Sequence, residues 1–354
     1  MRALVLSGGA GSRLRPITHT QAKQLIPIAG TPILFHALQA VADAGIREVG
    51  VVVGRGPAAE EVREAVGDGA RWGVEVTYIE QPEPLGIAHA VLTAEPFVRG
   101  GPFLLYLGDN VLVEGVTRFV EGFERSRPDA QILLTRVPEP QHFGVAVVEG
   151  ERVVRLVEKP TTFVSDIALV GVYLFDGSIL EACRSLTPSW RGEYEITEAI
   201  QWLIDRGYTV RAEMVSGWWK DTGRPEDLLE ANRVLLATRR RRIEGEVDDA
   251  SVLEGDVVVA PGAKVIASRL VGPVFVGADT LIERCTIGPD VSIEPGCQIV
   301  GSSIRDAIVL HGCRVVDVDG LTASILGRGV EVVRSGSNAG VRLIVGDHSR
   351  VEVE

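Results

Sequence analysis

Apolar and polar positions follow two grammars along this chain, with a change near residue 247. From residue 1 to about 238, short apolar runs alternate with amphipathic stretches, the pattern of a largely parallel sheet covered by helices. Residues 3–6, 49–53 and 103–107 read as buried strands. Between the first two, Ile33, Leu34, Ala37, Leu38, Val41 and Ala42 make one helical apolar face that stops at Gly45. Thr31 and Pro32 just ahead of it read as the N-cap and first helical position.

Beyond residue 247 neither a 3.6-residue nor a 2-residue period fits. Steps of 6, 5 and 6 from Val259 land on Val265, Leu270, Val276, Ile282, Ile287, Ile293, Ile299, Ile304, Leu310, Val316 and Leu321, all aliphatic. Pro261-Gly262, Gly288-Pro289 and Pro295-Gly296 punctuate the intervals. A coil of three short strands per turn, each placing one aliphatic side chain inward, accounts for a 17-residue repeat, so this part reads as a hexapeptide-type parallel β-helix. After Leu321 the register breaks at Gly327; Ile325-Leu326-Gly327 is a candidate restart, and the end of the repeat stays open. The expected organisation is an α/β domain over 1–238, a linker over 239–246 and the β-helix over 247–354.

Length and composition agree with two domains: 354 residues exceed what one core usually holds, and 45% hydrophobic with 24% charged residues suits a globular protein. No apolar run approaches membrane-span length and the apolar start ends at Ser7-Gly8-Gly9, so a cytoplasmic protein without membrane or leader is expected. The net charge of −12 argues against a nucleic-acid partner. Arg239 to Arg242 follow a helical run over 225–238 and read as cations at a helix C-terminus. Cys183, Cys285, Cys297 and Cys313 lack metal-ligand spacing and read as buried reduced thiols.

Candidate chemistry begins where the first strand ends, in Leu6-Ser7-Gly8-Gly9-Ala10-Gly11-Ser12-Arg13-Leu14. Glycines after a first strand let backbone N–H groups approach phosphate oxygens. Leu14 stands where a dinucleotide fingerprint would have its last glycine, and no Gly-Lys pair exists for a P-loop. What remains is a glycine loop with arginines, followed by Lys23-Gln24-Leu25, a set suited to polyphosphate. The chain holds only four lysines among 36 basic residues, and Lys23, Lys159 and Lys220, beside other suggestive residues, are candidates for a role that needs a compact ammonium rather than a guanidinium. Asp109 follows the strand at 103–107, a ligand-facing position in open α/β sheets. Asp221, in Trp219-Lys220-Asp221-Thr222-Gly223, is a second isolated carboxylate; two such groups near phosphates suit Mg2+.

These pieces, with Gln81 to Ala90, Phe143-Gly144-Val145, Glu158-Lys159-Pro160, Gly171-Val172-Tyr173 and Arg191-Gly192-Glu193-Tyr194-Glu195-Ile196-Thr197, stand in the order found in the sugar-1-phosphate nucleotidylyltransferases, which the chain resembles over residues 1–238. The resemblance implies a Rossmann-like nucleotidyltransferase domain followed by a left-handed β-helix. It implies that Leu6, Gly8, Gly9, Gly11, Gln24, Gln81 and Gly86 bind the nucleotide, with Gln81 and Gly86 on the pyrimidine edge. Arg13, Lys23 and Lys159 would serve the reacting phosphates, Gly144, Glu158, Gly171 and Arg191 the sugar phosphate, and Asp109 and Asp221 Mg2+. Gln24 after Lys23 resembles the thymidylyl branch, so dTTP and glucose 1-phosphate are the expected substrates. Ser7 and Ile87 depart from the commoner alanine and leucine, neither at a phosphate contact.

Two alternatives stay open at this point: a UTP-using relative, and a bifunctional enzyme with acyl transfer at His311 of the β-helix. Val258, Val271 and Val333 would face outward by alternation, an association surface from which a homo-oligomer is expected. Deleting the chain after residue 246 is then expected to weaken assembly and leave the phosphate and Mg2+ residues in place.

Overall fold

The computed structural model describes residues 1–9, 11–149, 152–334 and 342–353. The chain folds into two units: Met1–Gly9 with Leu34–Asp221, and the described residues of Ala10–Ile33 with Thr222–Glu354.

The apolar runs of the first unit become a nine-stranded sheet. Its spatial order is Glu75–Glu80, Glu48–Val53, Arg2–Ser7, Phe103–Leu107, Ile167–Phe175, Ala130–Arg136, Val210–Met214, Arg152–Glu158 and Gly144–Glu149. The first four strands are parallel, as buried Val- and Leu-rich runs joined by helices must be. Ile167–Phe175 is antiparallel to both its neighbours, so the sheet is mixed beyond Phe103–Leu107. Leu4, Leu105, Ile132, Phe175, Ile200 and Leu203 are among the residues of its core. The parallel strands all end toward Gly8, Gly54, Gln81 and Gly108, the edge where open α/β sheets receive ligands.

The helix expected from Thr31 starts instead at Ile33 and runs to Asp43. Thr31–Pro32 pairs antiparallel with Pro27–Ile28, and the Ile33 N–H donates to the Ile26 carbonyl at 3.2 Å. That hairpin satisfies a donor that a side-chain cap would otherwise serve. Gly45 ends the helix as expected, with φ 79° and its N–H donating to the Ala42 carbonyl.

In the second unit the 17-residue repeat is realised as stacked parallel strands. Val257, Val274 and Val291 pair in one column, Lys264, Leu281 and Gln298 in another, Arg269, Thr286 and Ser303 in a third. The first two coil strands, Arg242–Ile243 and Glu246–Val247, join the columns of Val257–Val259 and Lys264–Ile266. The inward aliphatics from Val259 to Ile304 are buried in sequence order. Then the register slips: Ile293 pairs with Val309 and Ile299 with Val315, so Val309 and Val315 take the inward places expected of Leu310 and Val316. The strand Ser303–Val309 runs through its corner and uses one residue fewer there. The next step recovers it, and Ile304 pairs with Leu321. Leu326 restarts the repeat against Val309.

All four cysteines are free and buried. Cys285 belongs to a corner ladder with Ser251, Ser268 and Ser302: successive side chains accept from the backbone N–H 17 or 16 residues on. Cys297 and Cys313 donate to the Leu310 and Gly327 carbonyls in a second ladder. The buried corner groups of these two ladders are thereby satisfied coil by coil. His311 is exposed at a turn beside Gly296.

Two surface expectations change. The helix Pro225–Thr238 has no basic residue in its last turn. After it the chain extends, so Arg240 and Arg242 pair with Asp256 and Glu244, and Arg241 donates to the Leu253 carbonyl, instead of serving the helix end. Val258 is buried rather than outward and free, and Phe275, next to it in the column, lies against Gly30 and under the Arg239 guanidinium. That column's outer side is therefore covered within its own unit.

Glu294, at a coil corner, is buried and faces Arg239, and its Oε1 makes no hydrogen bond among the described residues. Burial pushes its carboxyl up to about 7, with Arg239 opposing the rise. Between about pH 4.5 and 7 the folded state then holds a proton the unfolded state has lost, so stability falls as pH rises through that window, by about 3 kcal/mol in all. Thermal melts at pH 5 and 7.5 check this. The wild-type Tm should fall relative to that of Glu294→Gln as pH rises; an equal difference at both pH values would remove the assignment.

Candidate active site

Around the carboxyl edge of the first unit, the first group of polar side chains begins at Asp109. Gly108 continues the strand pairing, its N–H donating to the Leu6 carbonyl at 2.8 Å; Leu6 itself is paired on both sides. The Asn110 amide donates to Asp109 Oδ1 at 2.8 Å, and Trp219 Nε1 donates to Asn110 Oδ1 at 2.8 Å. Asn110 is also the antiparallel partner of Asp221, in the two-stranded pairing of Asn110–Leu112 with Trp219–Asp221. Register thus brings Asp109 and Asp221 to one end of that ribbon. Gly171 is a glycine for a steric reason: a Cβ there would stand 2.7 Å from the Asn110 side chain.

Glu158 organises the next group. Its Oε1 lies 3.4 Å from Lys159 Nζ and 3.5 Å from an Arg191 nitrogen, and its Oε2 accepts from the Thr197 hydroxyl at 3.1 Å. Gly144 pairs with Glu158 across the strands, and a Cβ on it would meet Thr197 at 2.6 Å. Arg191 also pairs with Glu193 and Glu195, at 2.8 and 3.1 Å. Its turn is fixed by Ser189, whose hydroxyl donates to Glu195 and accepts from the Arg191 N–H. Burial and then the Glu158 charge hold the Glu195 and Glu198 carboxyls above the usual range. Burial, and then the Glu158 and Asp109 charges, push the Tyr173 hydroxyl up.

Gln81 follows the strand Glu75–Glu80, and its amide nitrogen bonds the Gly86 carbonyl at 3.2 Å and His89 Nδ1 at 3.0 Å. Its Oε1 lies 3.4 Å from where a Cβ of Gly8 would stand, so the base-edge candidate adjoins the start of the glycine loop. Gly86 caps the helix Ile87–Thr93 at φ 100°, pressed on the Tyr194 backbone; Tyr194 N–H donates to Leu85 and Ala88 N–H to Tyr194. The segment 189–195 therefore serves both the Gln81–Gly86 group and the Glu158–Arg191 group.

In the second unit, Gly11 takes the left-handed conformation, φ 60°, ahead of a single turn Ser12–Leu14. Its carbonyl accepts from Thr18 at 2.7 Å, and a Cβ on it would stand 3.1 Å from Lys23 Cβ. The Arg13 guanidinium lies against Gly223, 2.8 Å from where its Cβ would be. Lys23 and Gln24 are buried in the turn Lys23–Leu25.

Residues 2–238 match the family described as Nucleotidyl transferase. The chain belongs to the nucleotidyl transferase family. Over its whole length this nucleotidyl transferase is 49% identical to a glucose-1-phosphate thymidylyltransferase of Streptomyces griseus, covering 99% of that protein. It is 41% identical, over the full length of both, to a low-salt glycan biosynthesis nucleotidyltransferase of Haloferax volcanii. Among solved structures, a Bacillus anthracis protein provisionally named a glucose-1-phosphate thymidylyltransferase aligns with a TM-score of 0.63 and 34% identity, over 66% of this chain and 94% of that one.

The sequence singled out most of this nucleotidyl transferase's polar set but not Asn110, Tyr194 or Thr197. Tyr194 and Thr197 lie inside a motif quoted and Asn110 directly follows Asp109, but their parts depend on contacts that only the fold makes. Asp109 and Asp221 are hard oxygen donors, and the described residues hold no group of three or more His, Cys, Asp or Glu suited to a metal. Two carboxylates are the oxygen donor set that suits a hard divalent cation keeping phosphate and water as its other ligands. No helix among the described residues is long and apolar enough to cross a membrane.

Proposed function

We propose that this nucleotidyl transferase, acting in the cytoplasm as a homo-oligomer, transfers the thymidylyl group of dTTP to glucose 1-phosphate, giving dTDP-glucose and pyrophosphate. The observation that carries the reading is the 49% identity over the whole chain to a relative named for that activity. A sugar-phosphate oxygen attacks the α-phosphorus in line; the bond from that phosphorus to the bridging oxygen breaks, and pyrophosphate leaves with the electron pair. The nucleophile is already an anion, so no covalent enzyme intermediate and no general base is needed. The work left to the protein is to align two polyanions and offset their repulsion.

Arg13 and Lys23 take the triphosphate, with backbone N–H groups around Gly8, Gly9 and Gly11. Lys159 and Arg191 take the sugar phosphate, and Glu158, Gly144 and Gly171 border the hexose. Gln81 and Gly86 meet the pyrimidine edge, and Gln24 joins the nucleotide contacts. Asp109 and Asp221 would hold Mg2+, which when bound supplies positive charge to the triphosphate oxygens. Val252 and Ile266, both exposed on the β-helix, are apolar positions left for association, which light scattering reads. Incubation with dTTP, glucose 1-phosphate and Mg2+, followed by mass spectrometry, tests the reaction. Equal amounts of dTDP-glucose and pyrophosphate are expected; hydrolysis of dTTP without sugar transfer would overturn it.

A further inference from the structure

The segment that carries Arg13, Lys23 and Gln24 is packed into the same unit as the β-helix. From Lys23 the path is short: the Ile26 N–H donates to the Lys23 carbonyl, and Pro27–Ile28 and Thr31–Pro32 form a hairpin directly after it. That hairpin is held at its tip by three side chains. The buried Asn232, on the helix Pro225–Thr238, accepts from the Ala29 N–H at 2.8 Å and donates to the Asp290 carbonyl of a coil corner at 3.3 Å. Arg239 donates to the Thr31 hydroxyl at 3.1 Å and faces the buried Glu294 of the next corner. The Phe275 ring, on the outer side of a coil strand, lies so close to Gly30 that a Cβ there would come within 2.4 Å of it. Nearer the start of the segment, Thr20 donates to Asp347 at 2.8 Å. Three of these contacts converge on 29–31, where Ala29 and Gly30 both have positive φ.

We infer that the β-helix is a positioning element for the nucleotide: Phe275, Asn232 and Arg239 fix the hairpin 27–32 and thereby the Lys23–Gln24 turn that precedes it. Phe275 is the residue that isolates this role. Its neighbours Val274 and Val276 point inward and carry the coil core, so the ring's outward contact is with the hairpin and not with the coil interior. Loss of the ring frees the hairpin to shift, and the cost falls on nucleotide binding. Removing the β-helix accordingly would not leave the phosphate residues undisturbed, contrary to the expectation from sequence.

The inference rests on the proposed reaction, and the experiment separates the two. Full-length Phe275→Ala and Phe275→Leu are compared with wild type for kcat and for KM of dTTP and of glucose 1-phosphate, with dTTP binding measured directly by calorimetry. Phe275→Ala is expected to raise the KM and Kd for dTTP about fivefold or more, leaving the KM for glucose 1-phosphate within twofold. Phe275→Leu, which refills most of the gap, should restore dTTP binding. An unchanged dTTP Kd in Phe275→Ala, or an equal rise in both KM values, would overturn the positioning role. Wild-type protein that makes no dTDP-glucose would instead overturn the reaction.

Discussion

Asp109→Ala and Arg13→Ala are each expected to lower kcat/KM by about 10² or more, about 2.7 kcal/mol of transition-state stabilisation. Asp109 stands just past the strand Phe103–Leu107, and its carboxylate is oriented by the Asn110 amide, itself fixed by Trp219. The Gly108 pairing to Leu6 does not involve the Asp109 side chain, so its removal takes away a charge and leaves the strand end in place. Arg13 offers a guanidinium on the Gly223 backbone, in a chain where charge neutralisation is most of the chemistry. Steady-state pyrophosphate release from each variant checks this. Rates near wild type in both would mean that neither residue touches the reacting phosphates.

Gly86→Ala is expected to be as damaging, through geometry instead of charge. At φ 100° and ψ 176° Gly86 occupies a region essentially reserved for glycine, and an added Cβ would stand 2.6 Å from the Tyr194 carbonyl oxygen and 2.9 Å from its nitrogen. Relief requires the segment 189–195 to retreat from the 85–88 turn, breaking the bonds between Leu85, Tyr194 and Ala88. That same segment carries Arg191 into contact with Glu158. Both substrates should therefore bind less well, with kcat/KM reduced about 10²-fold and both KM values raised. A variant impaired for one substrate only would show that the two groups are not joined through this segment.

The β-helix was legible because stacking repeats three inward positions every coil, and a 17-residue period carried by twelve aliphatic residues has no other cheap reading. Its slip at Val309 was not, because Leu310 and Val309 are both aliphatic and only strand pairing chooses between them. Ser251, Ser268, Cys285 and Ser302 also stand 17 apart, a ladder visible in the sequence once cysteine is read as a weak hydrogen-bonding group. In the site, charged and glycine residues announced themselves by type. Asn110 did not, because its part depends on pairing with Asp221, far along the chain. Thr31 and Pro32, the second strand of the hairpin, read as a helix start because Thr-Pro ahead of an apolar face fits a cap equally well, and the contacts of Gly30 and Asn232 with the β-helix carry no periodic signal.

The most direct measurement is pyrophosphate release with glucose 1-phosphate across dTTP, UTP, ATP, GTP and CTP. Thymine and uracil nucleotides differ by a methyl and a hydroxyl, so discrimination between them rests on about 1 to 3 kcal/mol of contact energy. The expected order is dTTP first and UTP second, with the purine triphosphates far behind. A clear preference for ATP or GTP would contradict the thymidylyl transfer proposed for this chain.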